Sequence, residues 1–350
     1  MMTGVEVIAV AARTPVGLYA ESAAAAVRAG VSRLGEHPEF VDGAGDPLRC
    51  ARDPELDPGV RGAERLSALC APVLRELAEK VFGRQPAPVM VPVYLAVPEP
   101  RPGFMKGKAD EIRRSLLAIP LPKGVQLDVQ FVEGGHAGGL RALELASFRL
   151  AQRQAEVCFV GGVDSYLDAD TLDWLEDEGR VARSDARGGF PPGEAAGMLA
   201  LATRGVRSRL GLSALASLLA VATGKEPRAI DGDEGLLGDG LTHVIRQATQ
   251  DLRLPQERVD DVYCDINGER HRSDEWGFML LKASSAFRDG TAYVSPVSSW
   301  GDVGAASGVL GCVLAVQSWQ RSYATGPRAL VCASSPEGMR GAAILEATGG

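Results

Sequence analysis

Short apolar runs that stop at turns, each followed by an Ala- or Leu-rich stretch at helical spacing, recur along this chain and predict an α/β protein. "VEVIAVAARTPVG" opens the first series, and "SALASLLAVATG" (213–224) opens a second after the basic break "RGVRSRLG". Each series leads to another strand-like run, "VPVYLAVPEP" in the first and "VDDVYCDING" in the second. Each then shows a glycine corner, a helix and a strand. Gly135 and His136 lead into "AGGLRALELASFRLAQRQ" and the strand "AEVCFVGG". Gly301 and Asp302 lead into "VGAASGVLGCVLAVQSW" and the strand "RALVCASS". Small residues in the first turns let both helices lie close against neighbouring backbone. Leu140, Leu143 and Phe148 in one helix, and Val309, Val313 and Val316 in the other, fall at the spacing of a buried face.

This echo predicts an internally duplicated fold, with residues 1–205 and 206–350 as its halves. A pseudo-twofold would bring the two corners, His136 and Asp302, toward a common centre. No long Pro/Gly/Ser linker separates the halves, so one body is expected. The stretch 36–58, rich in Asp, Gly and Pro, reads as a surface loop. In "VQLDVQFVE", Val125, Leu127, Val129 and Phe131 alternate as in a strand with one apolar face.

Composition narrows the classes. The 350 residues, 45% hydrophobic, suffice for a large core. Lys and Arg number 37 against 45 Asp and Glu, and a net charge of −8 argues against a general nucleic-acid binder. The opening residues carry no basic flank followed by a long apolar segment, so neither a signal peptide nor a membrane span is expected. Six cysteines are scattered without a CxxC pair, four of them in apolar runs, which points to buried thiols and a cytoplasmic protein. The four histidines share no ligand spacing with them, so no metal site is expected. There is no GxxxxGK[ST], and no GxGxxG between a strand and a helix, so no cofactor is expected either.

Four corners could carry chemistry. In the first, 133–139, His136 sits where a helix amino terminus favours negative charge, which suits an oxyanion better than a protonated imidazole. The second, "CDINGERHRSDEW" (264–276), gathers Asp265, Asn267, Glu269 and His271 around an Asn-Gly turn. The third, "SPVSSWGDVGAASG" (295–308), holds Asp302, which an ordinary N-cap would also explain. The fourth, "ASSPEGMRG" (333–341), is a glycine-containing turn after the last buried run. "FPPGEAAGMLALA" (190–202) is the most distinctive segment, with Glu194 at the bend.

In this order the segments resemble the β-ketoacyl synthases of the thiolase superfamily. "AEVCFVGGVDSYLD" looks like the strand and turn after the family's nucleophile helix, and "RSDARGGFPPGEAAGMLALA" like its Gly-Phe-x-x-Gly-Glu-Gly-Ala-Gly segment. "DINGERHRSDE" stands where the family has Asn-Ala-His-Gly-Thr, and "VSSWGDVGAASGVLGCVLAV" where it has Lys-Ser-x-x-Gly-His-x-x-Gly-Ala-Ala-Gly. "SSPEGMRGAAIL" stands where it has Gly-Phe-Gly-Gly-Thr-Asn. The resemblance spans nearly the whole chain and is weakest over the first 125 residues. It implies a thiolase-like duplicated α-β-α-β-α layered fold and a dimer joined through "VQLDVQFVE".

The family condenses acyl units with a cysteine, two histidines and a supporting lysine. Carried over position by position, the cysteine falls on His136, the first histidine on Asn267, the second on Asp302 and the lysine on Val297; the gating Phe falls on Pro336. His271, four residues past Asn267, is a rival for the first histidine position. None of these replacements can store an acyl chain as a thioester, and an acyl-imidazole hydrolyses readily.

Two readings stand. In one the chain is a non-condensing relative acting as partner or scaffold in fatty-acid or polyketide synthesis. It would form a homodimer, or a heterodimer with an active synthase, and bind an acyl carrier protein or acyl-CoA. In the other, His136 and Asp302 form a base dyad and Asn267 polarises a carbonyl, giving an acyl-thioester hydrolase or acyltransferase. Arg101, Lys106, Lys108, Arg113 and Arg114 form a basic cluster that either meets an acidic carrier protein or is simply solvated.

Overall fold

The computed structural model describes residues 4–84, 88–105, 107–184, 188–228, 230 and 235–348. In chain order its elements are β1 (Val5–Arg13), α1 (Ala20–Arg28), β2 (Leu34–Val41), β3 (Pro47–Ala51), α2 (Gly62–Phe82), β4 (Val89–Ala96), α3 (Lys108–Leu117) and β5 (Val125–Val132). There follow α4 (Gly138–Ala151), β6 (Val157–Ser165), α5 (Ala169–Asp177), β7 (Glu194–Thr203), α6 (Arg204–Arg209), β8 (Ala216–Lys225) and α7 (Asp239–Thr249). The chain closes with β9 (Asp261–Tyr263), α8 (Arg270–Ala283), α9 (Val297–Trp300), α10 (Ser307–Gln320), β10 (Arg328–Ser334) and β11 (Met339–Ala347).

Nine strands run β5-β4-β6-β7-β1-β8-β11-β10-β9. On the β1 side, β4 is parallel to β5 and β6, while β7 is antiparallel to both β6 and β1. Counted by occurrence, these five strands stand in the order 3-2-4-5-1. Beyond β1 the pattern is mirrored: β8, β11, β10 and β9 are the first, fifth, fourth and second strands of a like series. There too the fifth is antiparallel to its neighbours and the fourth parallel to the second. The remaining place, outside β9, is taken by the segment at Val294, which makes one parallel bridge to Tyr263. Within the sheet, among the described residues, β1 and β8 pair at Glu6–Ser217 and Val7–Ala216.

Five layers result. α2 and α3 cover the outer face of the first unit, α4 and α10 lie between the units, and α7 and α8 cover the second. α10 is buried at every residue from Gly308 to Ser318, as a helix apolar on all sides must be. The two central helices cross through their second residues. A side chain at Gly139 would strike Val309, and one at Gly308 would come within 3.0 Å of Leu140. Both helices begin on a 3-10 turn, Gly135–Ala137 and Gly304–Ala306, whose first glycine has φ +49 or +46, a conformation costly to other residues. These reciprocal contacts explain the small residues that open both helices.

Two expectations need correction. Residues 36–58 are not all loop, because β2 and β3 pair as a hairpin whose Leu48, Cys50 and Ala51 are buried. Leu48 and Cys50 pack with Tyr166, Leu172 and Phe190 in a small satellite core. Phe148 does not join the buried face of α4; it is 63% exposed, while Leu140, Leu143, Ala146 and Leu150 face inward. β5 behaves as its alternation predicts, with Val125, Leu127 and Val129 buried and Phe131 partly so. It is the outermost strand on its side of the sheet.

Candidate functional site at the corners of the central helices

β5 delivers the chain to Gly134 and Gly135, and the 3-10 turn then sets His136 at the foot of α4. Asp302 reaches the same spot from the other half. Its backbone is pinned by the segment before β7: its N–H donates to the Pro191 carbonyl, and its carbonyl accepts from Gly193, both at 2.8 Å. His136 Nε2 lies 2.8 and 3.0 Å from the two Asp302 carboxylate oxygens. The Gly304 N–H donates to Asp302 Oδ1 at 2.8 Å and the Asn267 amide to Oδ2 at 2.6 Å. The three residues singled out in the sequence therefore meet. His271 does not join them; its nearest carboxylate is Glu269, at 3.8 Å.

Asp265 and Glu269, gathered with Asn267 in the sequence, meet two arginines that sequence reading did not single out, Arg272 and Arg180. Arg272, 2% exposed, donates to Glu269 and Asp265 at 3.1 and 2.7 Å and to the Ser334 carbonyl at 2.7 Å. Its Nη2 also comes within 3.2 Å of His136 Nε2. Since Arg272 can only donate there, while the shorter contacts run to Asp302, the hydrogen on Nε2 points at the carboxylate. Arg180 donates to Glu269 at 2.8 Å and stacks near Trp174 and Phe190. Burial alone would raise the Asp302 pKa, but His136, Arg272 and the Gly304 amide outweigh it and hold the carboxyl below its usual range. Glu269 behaves alike: burial opposes its charge, yet Arg272 and Arg180 bring it down to about 2.

Asn267 has no spare donor. Its amide nitrogen donates to Glu269 at 3.0 Å as well as to Asp302, and its oxygen accepts the Glu269 N–H at 3.0 Å. An amide committed in this way cannot also polarise a substrate carbonyl. Val297, at the lysine position, is partly buried and lines a narrow apolar cleft beside Asn267 and Asp302.

His136 borders a cavity of about 90 Å³ shared with Glu99, Arg101, Tyr166, Arg180 and Glu337. At roughly 30 Å³ per water that is space for about three waters, against the several hundred Å³ of ordinary ligand pockets. Part of its wall is already paired: Asp164 binds Arg101 at 2.5 Å and the Ala305 amide at 2.8 Å, and Glu99 accepts from Ser335 at 2.8 Å, while Arg101 Nε is buried without a partner among the described residues. Burial raises the Glu99 carboxyl above its usual range, opposed by Ser335 and His136. Pro336, at the gating position, lines the same cavity.

No cysteine stands at the corner itself, although Cys264 and Cys332 line the apolar cleft that Asn267 and Asp302 share. All six are buried, and burial pushes Cys50, Cys70, Cys158, Cys264 and Cys312 up to about 12. The basic cluster is not one surface either. Arg101 is buried against Asp164, Arg113 pairs with Asp110 at 2.5 Å and lies over Phe131, and Lys108 reaches Glu111 at 3.7 Å. Lys106 lies outside the described residues. Among the described residues no His/Cys/Asp/Glu group has the arrangement of a metal site, and no helix is long and apolar enough to cross a membrane.

No family model and no curated protein matches the chain. Solved structures do. One is a chain of the AntDE:AntF complex, described as a type II PKS acyl-carrier protein in complex with its ketosynthase bound to the hexaketide. It matches with a TM-score of 0.76 at 14% identity, over 99% of both chains. The module 6 ketosynthase of the bacillaene synthase from Bacillus subtilis 168 gives 0.76 at 15% identity, over 99% of this chain and 72% of that one. The ishigamide ketosynthase/chain length factor gives 0.66 at 19% identity, over 99% and 100%. At such identities the likeness is one of architecture. The protein has the thiolase-like ketosynthase fold.

Proposed function

We propose that this chain is a ketosynthase-like protein that does not condense acyl units and works as a binding partner or scaffold. One observation carries the reading: the corner that begins α4 holds His136 locked onto Asp302, with Asn267, Glu269 and Arg272 closing the hydrogen bonds around it. A condensing site needs a thiolate there and donors left free to stabilise an enolate. Here the thiolate is missing and both amide hydrogens of Asn267 are already given to Glu269 and Asp302. Residues 1–205 and 206–350 serve as the two halves that frame this corner. β5, with its free edge, is the surface for a second copy or for an active synthase. The neighbours support such company, since one is a ketosynthase with its carrier protein and another a ketosynthase/chain length factor. An acyl carrier protein or acyl-CoA is the ligand class, and the cytoplasm the expected compartment.

A second reading, thioester hydrolysis or acyl transfer by the His136–Asp302 pair, is favoured by their 2.8 Å contact beside a cavity. It lacks the carbonyl-polarising Asn267. The two part company in an assay with malonyl- and acyl-thioesters that reads free thiol, the product of hydrolysis or transfer, beside carbon dioxide and the β-ketoacyl product of condensation. None of the three is expected above the uncatalysed rate. Thiol release that depends on His136 or Asp302 would favour the second reading, and decarboxylation that depends on them would overturn the non-condensing reading.

A further inference from the structure

A cavity of about 210 Å³ lies where the β2–β3 hairpin meets the starts of α2 and α5. Its titratable lining is His37, Glu39, Arg52, Arg61 and Arg65, and it does not include His136. Three guanidinium groups at one cavity are notable in a chain of net charge −8.

Their partners are unequal. Arg65 is fully used: it binds Glu194 through Nε and Nη2 at 2.5 and 2.7 Å, and the Asp57 and Val60 carbonyls through Nη1. Arg61 touches Glu39 at 3.3 Å with side chains 53% and 67% exposed, a contact that water screens. Arg52 is half-buried and has no hydrogen-bond or ion-pair partner among the described residues. His37 adds a donor. Its Nδ1 accepts the Glu39 and Phe40 N–H groups at 3.2 and 3.0 Å, which places its hydrogen on Nε2. Burial first, then Arg52, pushes the His37 pKa down, with Arg61 and Arg65 adding to the effect and Glu39 opposing it. The positive field there is thus only partly neutralised.

We infer that this cavity binds a small organic phosphate, its phosphoryl end on Arg52, Arg61 and the His37 Nε2–H. Planar guanidinium forks suit a dianion with three terminal oxygens better than a single carboxylate. The volume equals about seven waters at roughly 30 Å³ each, enough for a phosphoryl group and a few carbons. Phe40, Leu167 and Leu172 supply apolar wall for that short body. The site stands or falls independently of the chemistry at His136.

Calorimetric titration of the whole protein at low salt with butyl phosphate, inorganic phosphate and butyrate tests it. Butyl phosphate is expected to bind about tenfold more tightly than either of the others, and Arg52→Gln and Arg61→Gln each to weaken it by about tenfold. The thermal midpoint should not move, because neither side chain holds the fold together. Equal affinity for butyl and inorganic phosphate overturns the organic ligand in favour of a site for the free anion. No heat with either phosphate, or unchanged affinity in both variants, overturns the site altogether.

Discussion

His136 and Asp302 stand 166 residues apart in the chain and meet at 2.8 Å, each carried by the turn that starts one of the two central helices. Both side chains are 2% exposed. The duplicated fold sets the turns face to face, and the pair joins the two halves there.

Because the joint is buried and charged, removing one partner costs more than the contact itself contributes. Asp302→Asn leaves Arg272 and His136 short of a carboxylate in a buried site. A loss of about 3 kcal/mol is expected, read from the urea midpoint at constant slope. A loss under about 0.5 kcal/mol would mean that Asp265 and Glu269 already satisfy Arg272.

Acid should loosen this corner in two overlapping windows. Burial, reinforced by Arg272, holds His271 at about 4, below its ordinary 6.5, so the unfolded chain takes up that proton first and stability falls as pH drops from 6.5 to 4. Glu269, at about 2 against an ordinary 4.5, contributes fully above pH 4.5, and its contribution is lost as pH falls toward 2. The Glu269 shift corresponds to something on the order of 3 kcal/mol. His271→Gln should flatten the upper window alone, in urea midpoints taken from pH 7 to 4.

All six thiols should be silent in the native protein. Burial keeps them protonated and out of reach, so a thiol-reactive dye is expected to label none before unfolding and all six afterwards. One fast-reacting cysteine in the native state would contradict the packing described for these residues.

Gly304→Ala should be among the more damaging small substitutions. Its φ of +46 disfavours a side chain, and the new methyl would strike the Asp164 carboxylate that holds Arg101 and the Ala305 amide. A loss of about 2 kcal/mol or more is expected from thermal or urea unfolding. Gly277→Ala, in a helix with open space around it, is the matching control.

The sequence made the frame legible because its signals are local. Glycine corners, helices of small residues and β-branched strands repeat in both halves, so the corners of His136 and Asp302 pair on sequence pattern alone. The hairpin at 34–51 was hidden because Gly35, Pro38 and Pro47 fall within its strands and the apolar residues of β2 do not alternate. Phe148 shows the opposite failure: helical spacing identifies a stripe, but neighbouring elements decide whether a residue at its margin is covered. Arg180 went unnoticed because Glu269 lies 89 residues away, and Arg272 because its approach to His136 spans 136 residues, although its carboxylates Glu269 and Asp265 lie only three and seven residues before it. A charged residue shows its role in sequence only when its partner is near in sequence.

The most direct test is release of free thiol from a panel of acyl- and malonyl-thioesters, on both coenzyme A and carrier protein, by the wild type beside folded His136→Ala and His136→Gln variants. The account predicts no release above the uncatalysed rate from any of the three. Turnover by the wild type that disappears in both variants would contradict it and make His136 the centre of an enzyme.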